Sequence, residues 1–204
     1  MIKRYKSTEI NELVDILKKD GVISIPTDTV YGICARMNSK EARDKLIMVK
    51  NRPALKSFPI MCATIDQIKS ISIVNKTAEK LIEKLMPGPI TIVLKKNRDL
   101  PEFVTNGKDT IAVRLAASKT IEDLILKLGS PIFMTSANQN GAAECTNLDE
   151  IEESCPLLDG MVEGDVIFSR GSTIVDCSGE DIKILRDGPI SLEKINSIIE
   201  NKYK

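Results

Sequence analysis

Histidine is absent from this chain of 204 residues. Ordinary imidazole acid–base chemistry is therefore excluded, and with it Cys–His nucleophile pairs and histidine-bearing zinc sites. The five cysteines, Cys34, Cys62, Cys145, Cys155 and Cys177, include no CxxC pair. They read as reduced, buried thiols rather than metal ligands or a disulfide framework. Aromatic residues make up only 3% of the chain, which leaves few platforms for stacking single-stranded nucleic acid. No apolar run approaches the roughly 20 residues of a membrane helix. No apolar segment follows the charges of Met1-Ile2-Lys3-Arg4-Tyr5-Lys6, as a signal peptide would require. The expectation is a cytoplasmic protein without a membrane segment.

What is present fits one globular domain over residues 1–204. Apolar content of 42% and charged content of 28% are ordinary, and no repeat, low-complexity tract or Pro/Gly/Ser-rich linker divides the chain. Lys and Arg balance Asp and Glu at 29 each, yet unevenly. Residues 1–60 hold twelve basic against seven acidic residues, while residues 139–181 are strongly acidic with Arg170 the only base. This asymmetry either creates a local positive field in a neutral protein or reflects solvated faces of opposite sign.

Periodicity and punctuation divide the chain into mixed helices and strands. Residues 8–19 set Ile10, Leu13, Val14, Ile16 and Leu17 on one helical face before Gly21. Ile23 and Ile25 around Ser24 read as a strand over 22–26. Asn38, with Glu41 three residues on, has the pattern of a capping box. It opens a helix that runs to Lys50 and stops before Pro53. Residues 58–63 read as a buried strand, and Thr64 with Gln67 caps a short helix. A helix over 76–86 halts at Pro87-Gly88-Pro89. Strands at 91–96 and 110–116 follow with no helix between them. A helix over 119–128 ended by Gly129, a strand over 131–135 and an acidic helix over 146–154 come next. Short strands near 166–168, 172–176 and 182–186 precede a closing helix over 191–203. The pattern predicts an α/β fold with a mixed sheet, parallel and antiparallel, flanked by helices.

Several local patterns bear on chemistry. Strand 22–26 runs into Pro26-Thr27-Asp28-Thr29-Val30-Tyr31-Gly32, placing the Thr27 and Thr29 hydroxyls at a strand end, where open α/β sheets bind ligands. The same letters suit a proline-capped turn. Lys50-Asn51-Arg52-Pro53, with Lys56 beyond, collects cations at a helix end. They either complement the helix dipole or neutralise a polyphosphate, the arginine fork and the compact lysine charge acting together. Met134-Thr135-Ser136-Ala137-Asn138 ends a strand in small polar groups. Arg114 stands alone in Ile111-Ala112-Val113-Arg114-Leu115, between Ala112 and Ala116. That leaves room for an anion such as a carboxylate, unless Arg114 is simply an exposed strand residue. Ser172-Thr173-Ile174-Val175-Asp176 and Ile184-Leu185-Arg186-Asp187-Gly188 each read singly as a strand with a turn.

As an ordered series (PTDTVYG, KxR, VR, SAN, STIVD, ILRxG) these patterns span nearly the whole chain. In that order the chain resembles the YrdC/Sua5 family, the threonylcarbamoyl-AMP synthases, in its short single-domain form. Pro26–Gly32 matches the family's opening motif, and Lys50-x-Arg52 with Ser136-x-Asn138 matches its KxR…SxN signature. Two positions depart from it. Met61 stands where many relatives carry a histidine, and the VR strand ends in Leu115-Ala116 without the relatives' proline. The resemblance implies a twisted sheet with a concave, positively charged cavity. It implies condensation of L-threonine, bicarbonate and ATP to L-threonylcarbamoyladenylate and pyrophosphate, a nucleotidyl transfer. That product feeds tRNA t6A modification, completed by separate transferase proteins. The resemblance implies an ATP site of Lys50, Arg52, Lys56, Thr110, Ser136, Asn138, Glu144 and Arg186, with Lys50 and Arg52 catalytic. It also implies a threonine site of Thr29, Arg114, Met134 and Ser172. No protein metal ligands are expected, and Mg²⁺ would ride on the phosphates with water ligands.

Such chemistry dispenses with histidine. A carbamate forms from an amine and bicarbonate with little acid–base help, and the demanding step is attack of its oxygen on the α-phosphorus of ATP. Positioning and charge neutralisation then carry catalysis. Two other readings stay open on the residues alone. One is a module of the same fold that binds double-stranded RNA or tRNA without this activity, through salt-sensitive backbone contacts. The other is a paralogous enzyme that forms a different carbamoyl-adenylate.

Overall fold

The computed structural model describes residues 1–53, 56–168 and 170–200. Its first half runs β1 (Arg4–Tyr5), α1 (Ile10–Lys18), β2 (Ile23–Pro26), β3 (Tyr31–Arg36), α2 (Lys40–Lys50), β4 (Ile60–Cys62), α3 (Ile65–Ile71), β5 (Ser72–Ile73) and α4 (Lys76–Leu85). The second half runs β6 (Ile90–Lys96), α5 (Glu102–Thr105), β7 (Thr110–Leu115), α6 (Lys119–Leu128), β8 (Ile132–Ser136), α7 (Leu148–Ser154), β9 (Gly160–Val162), β10 (Thr173–Asp176), β11 (Lys183–Arg186) and α8 (Leu192–Ile199).

Local chemistry accounts for most boundaries. Thr64 Oγ1 accepts from the Gln67 N–H at 3.1 Å, and Gln67 Oε1 accepts from the Ala63 N–H at 2.8 Å, so α3 is capped as anticipated. Gly129 ends α6 in the left-handed region, at φ 75°, where glycine carries no Cβ penalty. The α2 cap lies one residue later than the Asn38/Glu41 pattern suggested: Ser39 Oγ accepts from the Ala42 N–H at 3.2 Å. Residues 201–203 of the expected closing helix lie outside the described residues.

One expectation is corrected. Residues 166–168 form no strand. The Phe168 N–H donates to the Asp28 carbonyl at 3.2 Å, and Ile167 and Phe168 are exposed. Three apolar residues carry too little periodicity to separate a strand from such a turn. The motif after β2 turns at its tip, and β3, a strand the sequence reading did not assign, returns antiparallel along β2 and pairs Tyr31 with Pro26 and Cys34 with Ile23.

Among the described residues, eleven strands join one mixed sheet in the order β1-β9-β2-β3-β8-β4-β7-β6-β10-β11, with β5 on the end of β6. The sheet mixes parallel pairs (β1 with β9, β2 with β9, β4 with β7, β6 with β10) and antiparallel ones, as the adjacent strands 91–96 and 110–116 predicted. The two faces follow from strand alternation. Ile33, Ile60, Ile92, Val113, Phe133 and Val175 face one layer, where Leu46 of α2, Leu81 of α4 and Ile195 of α8 are buried with them. Ile23, Ile25, Cys34, Met61 and Ile132 face the other, against Leu13 and Leu17 of α1 and Leu124 and Ile125 of α6. Along this second face the sheet continues as Met61, Arg114 and Thr91, adjacent in register on β4, β7 and β6. Those three line an open cleft. No helix among the described residues is long and apolar enough to cross a membrane.

Candidate active site

The cleft holds about 590 Å³ including its mouth. It is built from strand ends that the fold brings together across the sheet. Its wall includes Thr29 and Val30 of the β2–β3 turn, Met61, Thr91, Arg114, Met134 and Ser136 of β8, Glu144, Ser172 and Arg186. Three cations mark it, each tied to hydroxyl groups.

The first is Arg114, at the floor. The PTDTVYG turn explains its position. Thr27 closes the turn: its hydroxyl donates to the Val30 carbonyl at 2.7 Å and accepts from the Thr29 and Val30 N–H groups at 3.0 and 3.2 Å. Thr27 is thus engaged by its own turn, and Asp28 and Thr29 project from the tip toward β7. Arg114 Nη2 donates to Asp28 Oδ1 at 2.6 Å, Nη1 to Thr29 Oγ1 at 2.9 Å and Nε to the Gly88 carbonyl at 3.1 Å. Arg114 is 6% exposed and Asp28 2%. Burial pulls the guanidinium below its ordinary range, with Asp28 opposing and Arg186 adding to the pull. The arginine that stands alone in its apolar strand is therefore paired, and its partner is Asp28 rather than solvent. Asp28 Oδ2 is buried without a partner.

The second cation is Lys50, the last residue of α2. Asn51 ends the helix in the left-handed region, at φ 47°, so the following segment leaves sharply. The Lys50 ammonium turns back to β8. It donates to the Ser136 carbonyl at 2.6 Å, to Ser136 Oγ at 3.3 Å and to Asn138 Oδ1. The Asn140 N–H returns to the Lys50 carbonyl at 3.2 Å. Lys50 is 3% exposed, and Ser136 stands between it and the cleft. Burial pulls its ammonium down to about 8, with the nearby Arg52 charge acting in the same direction and Glu144 against it.

The third is Arg186, from β11. Its Nε donates to the Ser172 carbonyl at 2.9 Å and its Nη2 to Ser172 Oγ at 3.1 Å, while Ser172 Oγ bonds Thr91 Oγ1 at 2.8 Å. Burial lowers the Arg186 pKa and Glu144 counteracts it.

The remaining anticipated residues divide. Thr29, Arg114, Met134, Ser136, Glu144, Ser172 and Arg186 all line the cleft. Lys50 and Asn138 stand directly behind Ser136, with Asn138 Nδ2 anchored on the Ala142 carbonyl at 2.6 Å. Arg52 lies over the Phe58 ring at 4.9 Å and donates Nη2 to the Ser57 carbonyl at 2.9 Å, half-buried beside the segment that leads to β4. Lys56 is exposed. Thr110 opens β7, paired with Lys95. It is four residues along the strand from Arg114, about 13 Å away, and is not among the lining residues. Sequence reasoning missed Thr91, whose signal was a hydroxyl on the open face of an otherwise apolar strand, and Asp28 as a partner of Arg114. Gly32 also matters. A Cβ there would meet Met134 Sδ, so a larger residue would displace the Met134 side chain that lines the cleft.

The thiols are not part of this chemistry. None of the five is in a disulfide, and burial pushes Cys62 and Cys177 up to about 12. Among the described residues no group of three carboxylates or thiols is placed to hold a metal ion.

Known proteins are similar to this chain in sequence and fold. The family model for Sua5, YciO and YrdC, described as "Telomere recombination", matches residues 15–188. An uncharacterized protein of Haemophilus influenzae is 32% identical over 183 residues, 88% of either chain. A Psychromonas ingrahamii protein named threonylcarbamoyl-AMP synthase is 28% identical over 172 residues, 81% of this chain and 90% of that one. Among solved structures, P. abyssi Sua5 complexed with L-threonine matches with a TM-score of 0.91 at 28% identity and covers 98% of this chain; the present chain spans 61% of that longer one.

Proposed function

The chain belongs to the Sua5/YciO/YrdC family, and from that membership we propose that it is an L-threonylcarbamoyladenylate synthase. It would join L-threonine, bicarbonate and ATP and release pyrophosphate, a nucleotidyl transfer. The observation that carries the reading is the cleft itself. The PTDTVYG turn, the SAN strand end and the Ser172–Arg186 pair are distant in the chain, yet all three meet around Arg114.

Each residue has a role in this reading. Arg114 keeps two N–H groups beyond those it gives to Asp28, Thr29 and Gly88. They would receive the threonine carboxylate, with Thr29, Ser172 and the main chain at Met134 around the amino acid. Because Asp28 already neutralises Arg114, that contact supplies directed donors more than net charge. Arg52, Lys56 and Arg186 would take the polyphosphate, and Ser136 the α-phosphate. The carbamate oxygen then forms its bond to the α-phosphorus while the bond to the pyrophosphate oxygen breaks, the charge leaving with pyrophosphate. Among the described residues, Glu144 is the one carboxylate lining the cleft. Mg²⁺ would therefore be held by phosphate oxygens and water, with Glu144 the protein carboxylate available to it. The product is a mixed anhydride whose consumption requires a separate transferase acting on tRNA in the cytoplasm.

The test is incubation with ATP, bicarbonate and a panel of amino acids, with pyrophosphate as the readout. Threonine-dependent release is expected. Retention of double-stranded RNA or tRNA without pyrophosphate release would replace the synthase with a binding module. Release that needs carbamoyl phosphate instead of threonine would point to a paralogous carbamoyl-adenylate former.

A further inference from the structure

Behind the cleft wall the Lys50 ammonium and the Ser136 hydroxyl both donate to one acceptor, Asn138 Oδ1. Ser136 Oγ lies 2.6 Å from Asn138 Oδ1, and an amide oxygen can only accept. In the free protein the Ser136 hydroxyl proton therefore points away from the cleft, into Asn138. A serine in that state offers an anion only lone pairs. The ammonium of Lys50 changes this, because it donates to the same Asn138 Oδ1 and also to the Ser136 carbonyl and Oγ. If the Ser136 hydroxyl rotates toward the cleft, Asn138 Oδ1 keeps a donor, and no buried acceptor is orphaned. The penalty that an unsatisfied buried group would impose is avoided.

We propose that Lys50 is a positioning residue that acts through Ser136: it satisfies Asn138 so that the Ser136 hydroxyl is free to donate to a phosphate oxygen in the cleft. Lys50 itself does not touch the nucleotide. All three of its N–H donors already have protein acceptors, and it is not among the residues that line the cleft. The backbone holds this arrangement from both sides, since the Asn140 N–H bonds the Lys50 carbonyl and Gln139 Nε2 bonds the Val49 carbonyl at 3.5 Å.

A double-mutant cycle separates this role from direct contact. Lys50→Met keeps the aliphatic stem and the packing while removing the donors, and Ser136→Ala removes the hydroxyl. Each alone is expected to lower threonine-dependent pyrophosphate release by a similar factor, about 10–100-fold. The double variant should lie within about threefold of Ser136→Ala. Multiplying losses would mean that Lys50 contacts substrate by itself and would overturn the proposal, as would full turnover in Lys50→Met. Circular dichroism melts establish that the variants fold.

The pH profile adds a readout that a merely structural lysine would not move. Besides Lys50, the ionisable groups around it are Arg52, Glu144, Cys145 and Cys155, and burial holds both thiols above their ordinary range. A fall in wild-type kcat as pH rises through about 8, absent from Lys50→Met, is expected. The same profile in both proteins overturns the assignment.

The activity arms rest on the synthase reading, so the cycle is repeated with binding of ATP in the absence of amino acid, measured by calorimetry. Should the wild type release no pyrophosphate with any amino acid, the synthase reading fails, while the binding cycle still decides the role of Lys50. Additive losses in binding, or no binding by the wild type, would rule out a Ser136 donor prepared by Lys50.

Discussion

Lys50 and Arg114 are both buried cations beside one cleft, and they are held in opposite ways. Arg114 is matched by a carboxylate, Asp28, at 2.6 Å. Lys50 is bonded to a carbonyl, a hydroxyl and an amide oxygen, with no carboxylate bonded to it among the described residues. A paired cation costs little to keep charged but projects little field. A cation with neutral partners keeps its field at the expense of its proton, which is why Lys50 is drawn down to about 8. The molecule thus supplies two different things on one face of its sheet: oriented donors without net charge at the floor, and charge behind the wall that the phosphates would meet.

The largest effect that tests this contrast is on stability. Arg114→Ala leaves the Asp28 carboxylate buried and unpaired, and is expected to cost about 3–5 kcal/mol in urea unfolding. Lys50→Ala abandons only neutral acceptors and should cost about 1–3 kcal/mol. Equal losses would dissolve the distinction. Next in size is an effect on activity. Arg52→Ala removes a phosphate contact in the proposed reaction, so threonine-dependent pyrophosphate release should fall about 100-fold, equivalent to 2–4 kcal/mol, with an unchanged melting temperature. Near wild-type turnover would exclude Arg52. Thr27→Val removes the hydroxyl that closes the β2–β3 turn and should cost about 1–3 kcal/mol, while weakening threonine binding because Asp28 and Thr29 lose their setting.

The last test is a pH dependence. Lys50 titrates at about 8 in the folded protein against 10.5 for an ordinary lysine. Between those values the unfolded chain holds the proton more tightly, so folding stability rises with pH across that window. Lys50→Met should lack this rise, seen as the difference between the two proteins' urea midpoints from pH 8 to 10.5.

Much of the fold was readable in the residues. Thr64 before Gln67 and Gly129 after α6 are local signals with local causes, and the apolar strands 91–96 and 110–116 declare themselves by alternation. β3 was not readable, because Pro26 and Gly32 look like breakers on either side of a polar turn. Gly32 instead lies inside β3, against the Met134 side chain of β8, and that neighbour is far away in the chain. The short segment 166–168 erred in the other direction, since apolar letters alone do not supply a strand partner.

The candidate site divides along the same line. The residue series identified the family and gathered Thr29, Arg114, Ser136, Ser172 and Arg186 as cleft residues. Which cation is neutralised, which hydroxyl is engaged by its own turn and which lysine stands behind the wall were not in that series. By itself the sequence determined the chemistry on offer, because hydroxyls, guanidinium groups and the absence of imidazole are properties of residues and hold in any fold. The tertiary structure decided how that chemistry is deployed. Pairing Arg114 with Asp28 across 86 residues, and Lys50 with Asn138 across 88, depends on strand register, and hydrogen bonds act only within a few ångströms however far apart their partners lie in the chain.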